Sequence, residues 1–144
     1  MIYIGIDPGT HTGVAVWDSK EGRFLSLETM PIHRALEKVK EMAHPFWHMD
    51  KLYHEDIQVI FEDARLRTWF GKGNVSAKAQ GAGSVKRDCS IWEDFLIDSG
   101  IPFVTTKPGN VATKVTSSWF RKLTGWEGRC SEHARDAAML VFGR

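Results

Sequence analysis

The chain has 144 residues, of which 42% are hydrophobic and 26% charged, as is ordinary for a globular protein. This length predicts one domain over residues 1–144, with a core that needs no disulfide or structural metal. No apolar run approaches the roughly 20 residues that span a bilayer, and the start lacks the features of a signal peptide. Cys89 and Cys130 match no metal or redox spacing, so we expect a reduced, cytoplasmic protein without a membrane partner.

The net charge is +1, but the charged residues are unevenly distributed along the chain. Residues 1–63 contain 6 Lys and Arg and 11 Asp and Glu, whereas residues 64–144 contain 13 Lys and Arg and 7 Asp and Glu. A basic second half indicates either an anionic partner or a solvated basic face, and composition alone leaves both open.

Three strands are predicted at the start of the chain. Residues 2–7 alternate with period two, and Pro8-Gly9-Thr10 then form a turn. Residues 13–18 form a second strand, and a turn at Glu21-Gly22 leads into a third strand over residues 24–30. Such closely spaced strands favour an antiparallel meander.

The remaining elements follow in the order helix, strand, helix, strand, helix, helix. They are predicted at residues 31–42, 57–62, 76–99, 101–105, 110–123 and 131–142. Gly100 would close the longest helix, and Asn110 and Ser131 would cap the last two. Strands interleaved with helices after a meander predict an α/β fold, with a mixed five-stranded sheet and helices on both faces.

Carboxylates stand at the ends of two of these strands. Asp7 ends the first strand and Glu62 the fourth, while Asp136 lies in the last helix, one turn after His133. Ligands gather at the carboxyl ends of strands in an open α/β sheet, so the three acids are candidates for one site. Converging carboxylates repel, and a divalent cation such as Mg²⁺ relieves that repulsion and suits phosphodiester cleavage.

Each of these residues also has an ordinary interpretation. An acid at a strand end is more often a cap or a solvated turn residue, and a single histidine is more often a surface group. Glu62 is followed by Asp63, which strand alternation sends to the opposite face. Spacing alone does not decide which of the two faces the site.

Three segments in order resemble the RuvC-type Holliday-junction resolvases. Residues 4–16 (IGIDPGTHTGVAV) resemble the opening of that family, residues 59–62 (VIFE) its second acidic strand, and residues 133–138 (HARDAA) its closing helix. The resemblance covers nearly the whole chain and is strongest to the short, phage-borne branch. It implies an RNase H-like fold, a homodimer, and paired nicks in branched DNA with Mg²⁺ or Mn²⁺ and no nucleotide cofactor, in a bacterial or phage-infected cell.

The same resemblance implies a set of site residues. The metal-binding and catalytic set would be Asp7, Glu62, His133 and Asp136. Lys114 and Lys107 would lie by the scissile phosphate, although both are otherwise ordinary surface lysines.

Two segments are candidate DNA contacts. Directly after Glu62 comes a loop that mixes cations for phosphates with aromatic rings for stacking, and the long helix adds further cations. The candidates are Arg65, Arg67, Trp69, Phe70, Lys72, Lys78, Lys86 and Arg87. The aromatic pair could equally pack in the core or at a dimer interface, whereas the helical spacing of Trp92 and Phe95 predicts core positions. Small residues at 77–83 would allow close approach of a second copy or of the sheet.

Parts of the sequence also fit three functions other than a junction nuclease. The Asp7-Pro8-Gly9-Thr10 turn also resembles the phosphate loop of sugar kinases and actin-like ATPases, but 144 residues leave no room for their second lobe. An RNase H-fold nuclease for flaps, forks or RNA-containing substrates stays open. An inactive branched-DNA-binding module would need a damaged acidic set, and all four polar positions are filled.

Overall fold

The chain begins with an antiparallel meander of three strands. A computed structural model describes residues 1–43, 56–67, 75–109 and 115–144, with the side chains of the second helix described from residue 83 onward. The strands are β1 (Ile2–Asp7), β2 (His11–Asp18) and β3 (Arg23–Pro31), and β2 pairs antiparallel with both of the others. Gly22 has a φ of 61° in the tight turn between β2 and β3, a conformation that suits glycine.

Two later strands extend the sheet on the other side of β1. β4 (Ile57–Glu62) pairs parallel with β1, and β5 (Phe103–Thr106) pairs parallel with β4, giving the order β3-β2-β1-β4-β5. This is the mixed five-stranded sheet that the element order predicted. Because β1, β4 and β5 run in the same direction, their carboxyl ends lie at one edge of the sheet.

Helices cover both faces of this sheet. They are α1 (Ile32–Ala43), α2 (Val75–Asp98), α3 (Ser117–Thr124) and α4 (Glu132–Val141), with a short 3-10 turn at Ala64–Leu66. Strand alternation divides the core into two clusters. The first contains Ile4, Ile6, Val59 and Phe61 with residues of α1 and α2, and the second contains Ala15, Trp17 and Ile60 with residues of α3 and α4.

The two aromatic residues predicted to lie in the core on α2 do so. Trp92 is fully buried, and Phe95 packs against the same cluster with its ring edge-to-face to Trp92 at 5.9 Å between centroids. They anchor α2 on the sheet face opposite α4.

The start of β5 differs from the sequence prediction for a physical reason. The strand begins at Phe103 and not at residue 101, because the Ile101 amide is used to close the end of α2. Gly100 has a φ of 63°, and the Ile101 amide donates to the Leu96 carbonyl at 3.0 Å. This left-handed glycine closure uses the residue after the glycine to satisfy a helix carbonyl.

The predicted start of α3 was wrong, whereas that of α4 was right. Val115 and Thr116 are not helical, and Thr116 is the cap, accepting a hydrogen bond from the Trp119 amide at 3.3 Å. The expected cap, Asn110, lies outside the described residues. Ser131 caps α4 as predicted, accepting from the Ala134 amide at 3.1 Å.

Within the described part of the chain, no helix is both long enough and apolar enough to cross a membrane.

Candidate active site

Asp7 and Glu62 are the last residues of two neighbouring strands, β1 and β4. Ile6 lies opposite Phe61 in the parallel pair of β1 and β4, so the next residue of each strand ends at the same edge. Ile6 and Phe61 belong to the core cluster beneath α1 and α2. Alternation therefore turns both carboxylates toward the opposite face, which α4 covers.

Two glycines let α4 lie directly on the strands. A Cβ atom at Gly13 would lie 2.0 Å from the His133 carbonyl oxygen, and one at Gly5 would lie 2.1 Å from the Ala137 carbonyl oxygen. No side chain fits such a gap, so the backbone contact requires glycine at both positions. Gly13 is also the β2 partner of Asp7, so this contact brings the first turn of α4 beside Asp7.

His133 joins α4 to β1 by a side-chain hydrogen bond. Its Nδ1 lies 2.8 Å from Oδ2 of Asp7, a hydrogen bond that joins residues 126 positions apart in sequence. The Asp7 side chain is 19% exposed, whereas the His133 side chain is 52% exposed and faces solvent on its other side. The bond orients the carboxylate, and Asp136 follows His133 one helical turn later.

The carboxylates act on one another electrostatically. Burial raises the pKa of Asp7, repulsion from Asp136 and Glu132 raises it further, and the hydrogen bond from His133 opposes the shift. Burial also raises the pKa of Glu62, again with repulsion from Asp7 and Asp136. Asp136 is therefore close enough to Asp7 and Glu62 for its charge to raise the pKa of both.

The chemistry of these donors fits a divalent cation. Three carboxylates supply the hard oxygen ligands that Mg²⁺ and Mn²⁺ prefer. Burial, with repulsion between the acids, raises the pKa of Asp7 and Glu62, and a bound cation would favour their ionised forms. Among the described residues, no group of three or more His, Cys, Asp or Glu side chains is already arranged to hold a metal ion. The three carboxylates thus suit a cation by their chemistry and charge. In this structure Asp7 is hydrogen-bonded to His133 instead.

Asp63 belongs to a different environment from Glu62. It is 3% exposed and lies toward α2, where the Arg65 guanidinium donates to both of its carboxylate oxygens at 2.8–3.1 Å. The same guanidinium binds Glu93 Oε2 at 2.7 Å. The hydrogen bonds from Arg65 hold the pKa of Asp63 below its usual range. The structure thereby separates the two adjacent acids, with Glu62 at the site and Asp63 in an ion-pair network.

This network changes the interpretation of Arg65. Its guanidinium, expected to contact DNA, is engaged with Asp63 and Glu93 and ties β4 to α2. Arg67 is exposed after the 3-10 turn, and its charge lowers the pKa of Glu62. Of the two arginines, Arg67 is the one whose charge acts on Glu62.

The other expected site residues are distributed unevenly. Lys107 is exposed directly after β5, and the β5 residue Thr106 pairs with Glu62, so Lys107 lies at the same sheet edge. On α2, Lys86 is half-buried and Arg87 is exposed, 3.8 Å from Asp88. Several expected residues lie outside the described residues, or have side chains that do: Trp69, Phe70, Lys72, Lys78, Lys114 and the small residues at 77–82 of α2.

Two polar residues at the site were not singled out from the sequence. Thr12 is fully buried, and its hydroxyl donates to the Gly9 carbonyl at 2.7 Å, which fixes the turn after Asp7. The Thr106 hydroxyl, beside Glu62, is buried without a hydrogen-bond partner among the described residues. Strand alternation gives a weak signal for Thr106, since the residue paired with Glu62 faces the same way.

Comparison with known proteins supports the fold. No protein-family model and no curated protein matches the chain. Among solved structures the chain is similar to T. thermophilus RuvC in complex with Holliday junction substrate. The two share 20% sequence identity with a TM-score of 0.65, over 99% of this chain and 92% of that chain. The chain therefore has the RuvC-like, RNase H-like α/β fold that its three motifs predicted.

Proposed function

We propose that this chain is a metal-dependent endonuclease that nicks phosphodiesters in four-way or other branched DNA. The observation that carries the proposal is the meeting of Asp7, Glu62 and the His133–Asp136 turn at one edge of a RuvC-like sheet. The solved structure of similar fold is a RuvC in complex with a Holliday junction substrate, which supports branched DNA as the substrate class.

The proposed mechanism assigns each residue a task. Asp7, Glu62 and Asp136 would hold divalent cations, Mg²⁺ or Mn²⁺, by carboxylate oxygens. When bound, these cations supply positive charge against the phosphate and activate a water molecule. His133 orients Asp7 through Nδ1. Its other ring nitrogen, Nε2, would donate a proton to the leaving oxygen. Lys107, and Lys114 by resemblance, would neutralise charge that develops on the phosphate.

A homodimer is part of the same proposal. Symmetrical nicks on two strands of a junction need two sites, and the described residues of one chain form a single carboxylate set. Two copies bound to one junction would supply the second set.

The decisive experiment compares three synthetic DNAs. A four-way junction, a linear duplex and a single-stranded flap are each incubated with Mg²⁺, with Mn²⁺ and with a chelator. Metal-dependent nicking of the junction in preference to the duplex is expected. Preferential cutting of the flap would show that the protein is a metal-dependent nuclease for flaps or forks and not for four-way junctions. Binding without any cutting would identify an inactive binding module.

Adjacent acids provide a matched control for the site. Glu62→Gln and Asp7→Asn should slow junction nicking about 100-fold or more, because misplacing a catalytic group by about 1 Å already costs that much. Asp63→Asn removes the neighbouring carboxylate and should leave the rate constant of nicking within a fewfold of the unmodified chain. Equal loss in all three variants, with each still folded, would contradict the proposed division of roles.

A further inference from the structure

A polar groove lies beside the carboxylates, outside the residues assigned above. It has a volume of about 420 Å³ and is bounded by the end of β3, by α3 and by the start of α4. We call it the basic groove, and its polar lining includes Thr29, Ser117, Arg121, Arg129, Cys130 and Ser131. Gly13 pairs with both Asp7 and Thr29, so Thr29 lies two strands from Asp7, roughly 10 Å at ordinary strand spacing.

The charge of the basic groove is positive. Arg121 and Arg129 are exposed, and neither guanidinium has an ion pair or hydrogen bond with any described residue. Among the described residues that line the groove, Glu28 is the one acid, and its carboxylate is paired with Lys38. Two arginines with unused donors therefore face a space whose single negative charge is already neutralised.

The walls of the basic groove are fixed by internal contacts. Arg135 donates from Nε to the Val115 carbonyl and from Nη1 to the Cys130 carbonyl, both at 2.9 Å. The hydroxyls of Thr29 and Ser131 are hydrogen-bonded to each other across the groove floor. The arginines thus stand on a backbone that is already held in place, which reduces the entropy lost when they bind a ligand.

We propose that the basic groove binds a non-scissile phosphate of the DNA strand being cut, and this inference rests on the proposed function. Each strand of B-DNA carries one phosphate per about 3.4 Å of helix axis. A phosphate within about three nucleotides of the scissile one therefore reaches the groove. Guanidinium groups match phosphate oxygens with paired donors, and the exposed Ser117 hydroxyl adds a further donor. Phosphate contacts of this kind set the register of the strand over Asp7 and Glu62.

Cys130 provides a direct reporter of occupancy. It lines the groove and is partly exposed, whereas Cys89 is fully buried and its burial raises the pKa of the thiol to about 11. A small alkylating reagent will therefore react at Cys130 and not at Cys89 in the folded protein. The full chain carrying Asp7→Asn is alkylated with and without saturating four-way junction DNA. DNA is expected to slow the reaction at Cys130 about tenfold or more.

Charge substitutions provide the second readout. In the same background, Arg121→Gln with Arg129→Gln should weaken junction binding about tenfold or more. They should also reduce the magnitude of the slope of log affinity against log salt by about one, because one phosphate is no longer neutralised by the protein. Arg23→Gln is the control, because Arg23 is also exposed but lies at the far end of the β2–β3 hairpin, where it is ion-paired with Glu21. It should change the affinity by less than about twofold.

The outcomes separate this inference from the proposed function. Undiminished alkylation of Cys130 in the saturated complex, with unchanged affinity in the double variant, would overturn the groove as a phosphate site. If the unmodified chain still nicks the junction, the proposed function stands without the groove. If the unmodified chain neither binds nor cuts any DNA, both proposals fall.

Discussion

Two adjacent acids show how strongly environment decides the role of a residue. Glu62 and Asp63 carry the same charge, yet burial and repulsion raise the pKa of Glu62 while hydrogen bonds from Arg65 lower the pKa of Asp63. The ionised Glu62 carboxylate therefore destabilises the folded state, whereas the ionised Asp63 carboxylate stabilises it through its ion pair. Opposite effects on stability follow for the two residues.

Glu62→Gln should stabilise the metal-free protein at pH 7. An acid whose pKa is raised in the folded state destabilises that state when it is ionised, so wild-type stability falls as pH rises above the ordinary value of 4.5. Glutamine removes this cost, so the gain in the free energy of unfolding should be present at pH 7 and vanish below pH 4.5. Urea denaturation in the presence of chelator measures it.

Asp63→Asn is the control, and its sign is opposite. Asp63 has a lowered pKa, so its contribution is present above the ordinary value of 3.8 and is lost as pH falls through the folded value. The substitution should cost about 1–3 kcal/mol at pH 7. A loss of stability in Glu62→Gln similar to that in Asp63→Asn would show that Glu62 is held by structural contacts and not by a strained site.

At the scale of elements, the site depends on how closely α4 approaches β1 and β2. The carbonyls of His133 and Ala137 occupy the space where side chains of Gly13 and Gly5 would be. Ser131 caps the helix just before this contact. The helix is thus fixed both at its start and along its face, and His133 reaches Asp7 as a consequence.

Gly13→Ala should displace α4 and disable the site. Its Cβ would lie 2.0 Å from a backbone oxygen, which a rotamer change cannot relieve, so we expect a loss of about 1–3 kcal/mol or more. Junction nicking should fall about 100-fold because His133 and Asp136 move relative to Asp7. Denaturation and nicking rates measured on the same preparation check both effects.

Gly9→Ala is the control for that substitution. A Cβ at Gly9 would meet its nearest atom, the His11 carbonyl oxygen, at an ordinary 3.5 Å, so its stability should stay within about 1 kcal/mol of wild type. Equal destabilisation by both variants would mean that loss of glycine flexibility, and not contact with α4, explains the effect at Gly13.

At the scale of the whole molecule, the acidic and basic residues that are unevenly distributed along the sequence lie in two neighbouring regions of the structure. The acids of the first half include Asp7 and Glu62 at the sheet edge, and the cations of the second half include Arg121 and Arg129 in the basic groove. A DNA strand that follows the groove would bring one phosphate to the arginines and another to the carboxylates. Under the two proposals, the arginines would bind a phosphate directly, whereas the carboxylates would meet one through bound cations.

The proposed homodimer predicts two chains on each junction. A complex formed by the Asp7→Asn variant should contain two 16.3 kDa chains per four-way junction, measured by sedimentation or native mass spectrometry. The active protein should nick both strands within the lifetime of one complex, which a supercoiled cruciform plasmid reports as linear product. One chain per junction, with independent single nicks, would contradict the dimer.

The sequence by itself determined most of the elements and the identity of the candidate site. Period-two alternation, turn residues and caps act within a few residues, so β4 was predicted with the bounds that the structure shows and Ser131 was predicted as a cap. The resemblance of three segments added the acidic set and the RuvC-like fold, and the structural comparison confirms the fold.

Tertiary structure alone decided the rest, because the deciding contacts join distant parts of the chain. Arg65 is hydrogen-bonded to Glu93, 28 positions away, and Asp7 meets His133 across 126 positions. The need for glycine at positions 5 and 13 is set by the carbonyls of α4, which lie on the strands only after folding. The basic groove is likewise a product of β3, α3 and α4 meeting, since no local pattern places Arg121 and Arg129 beside Thr29.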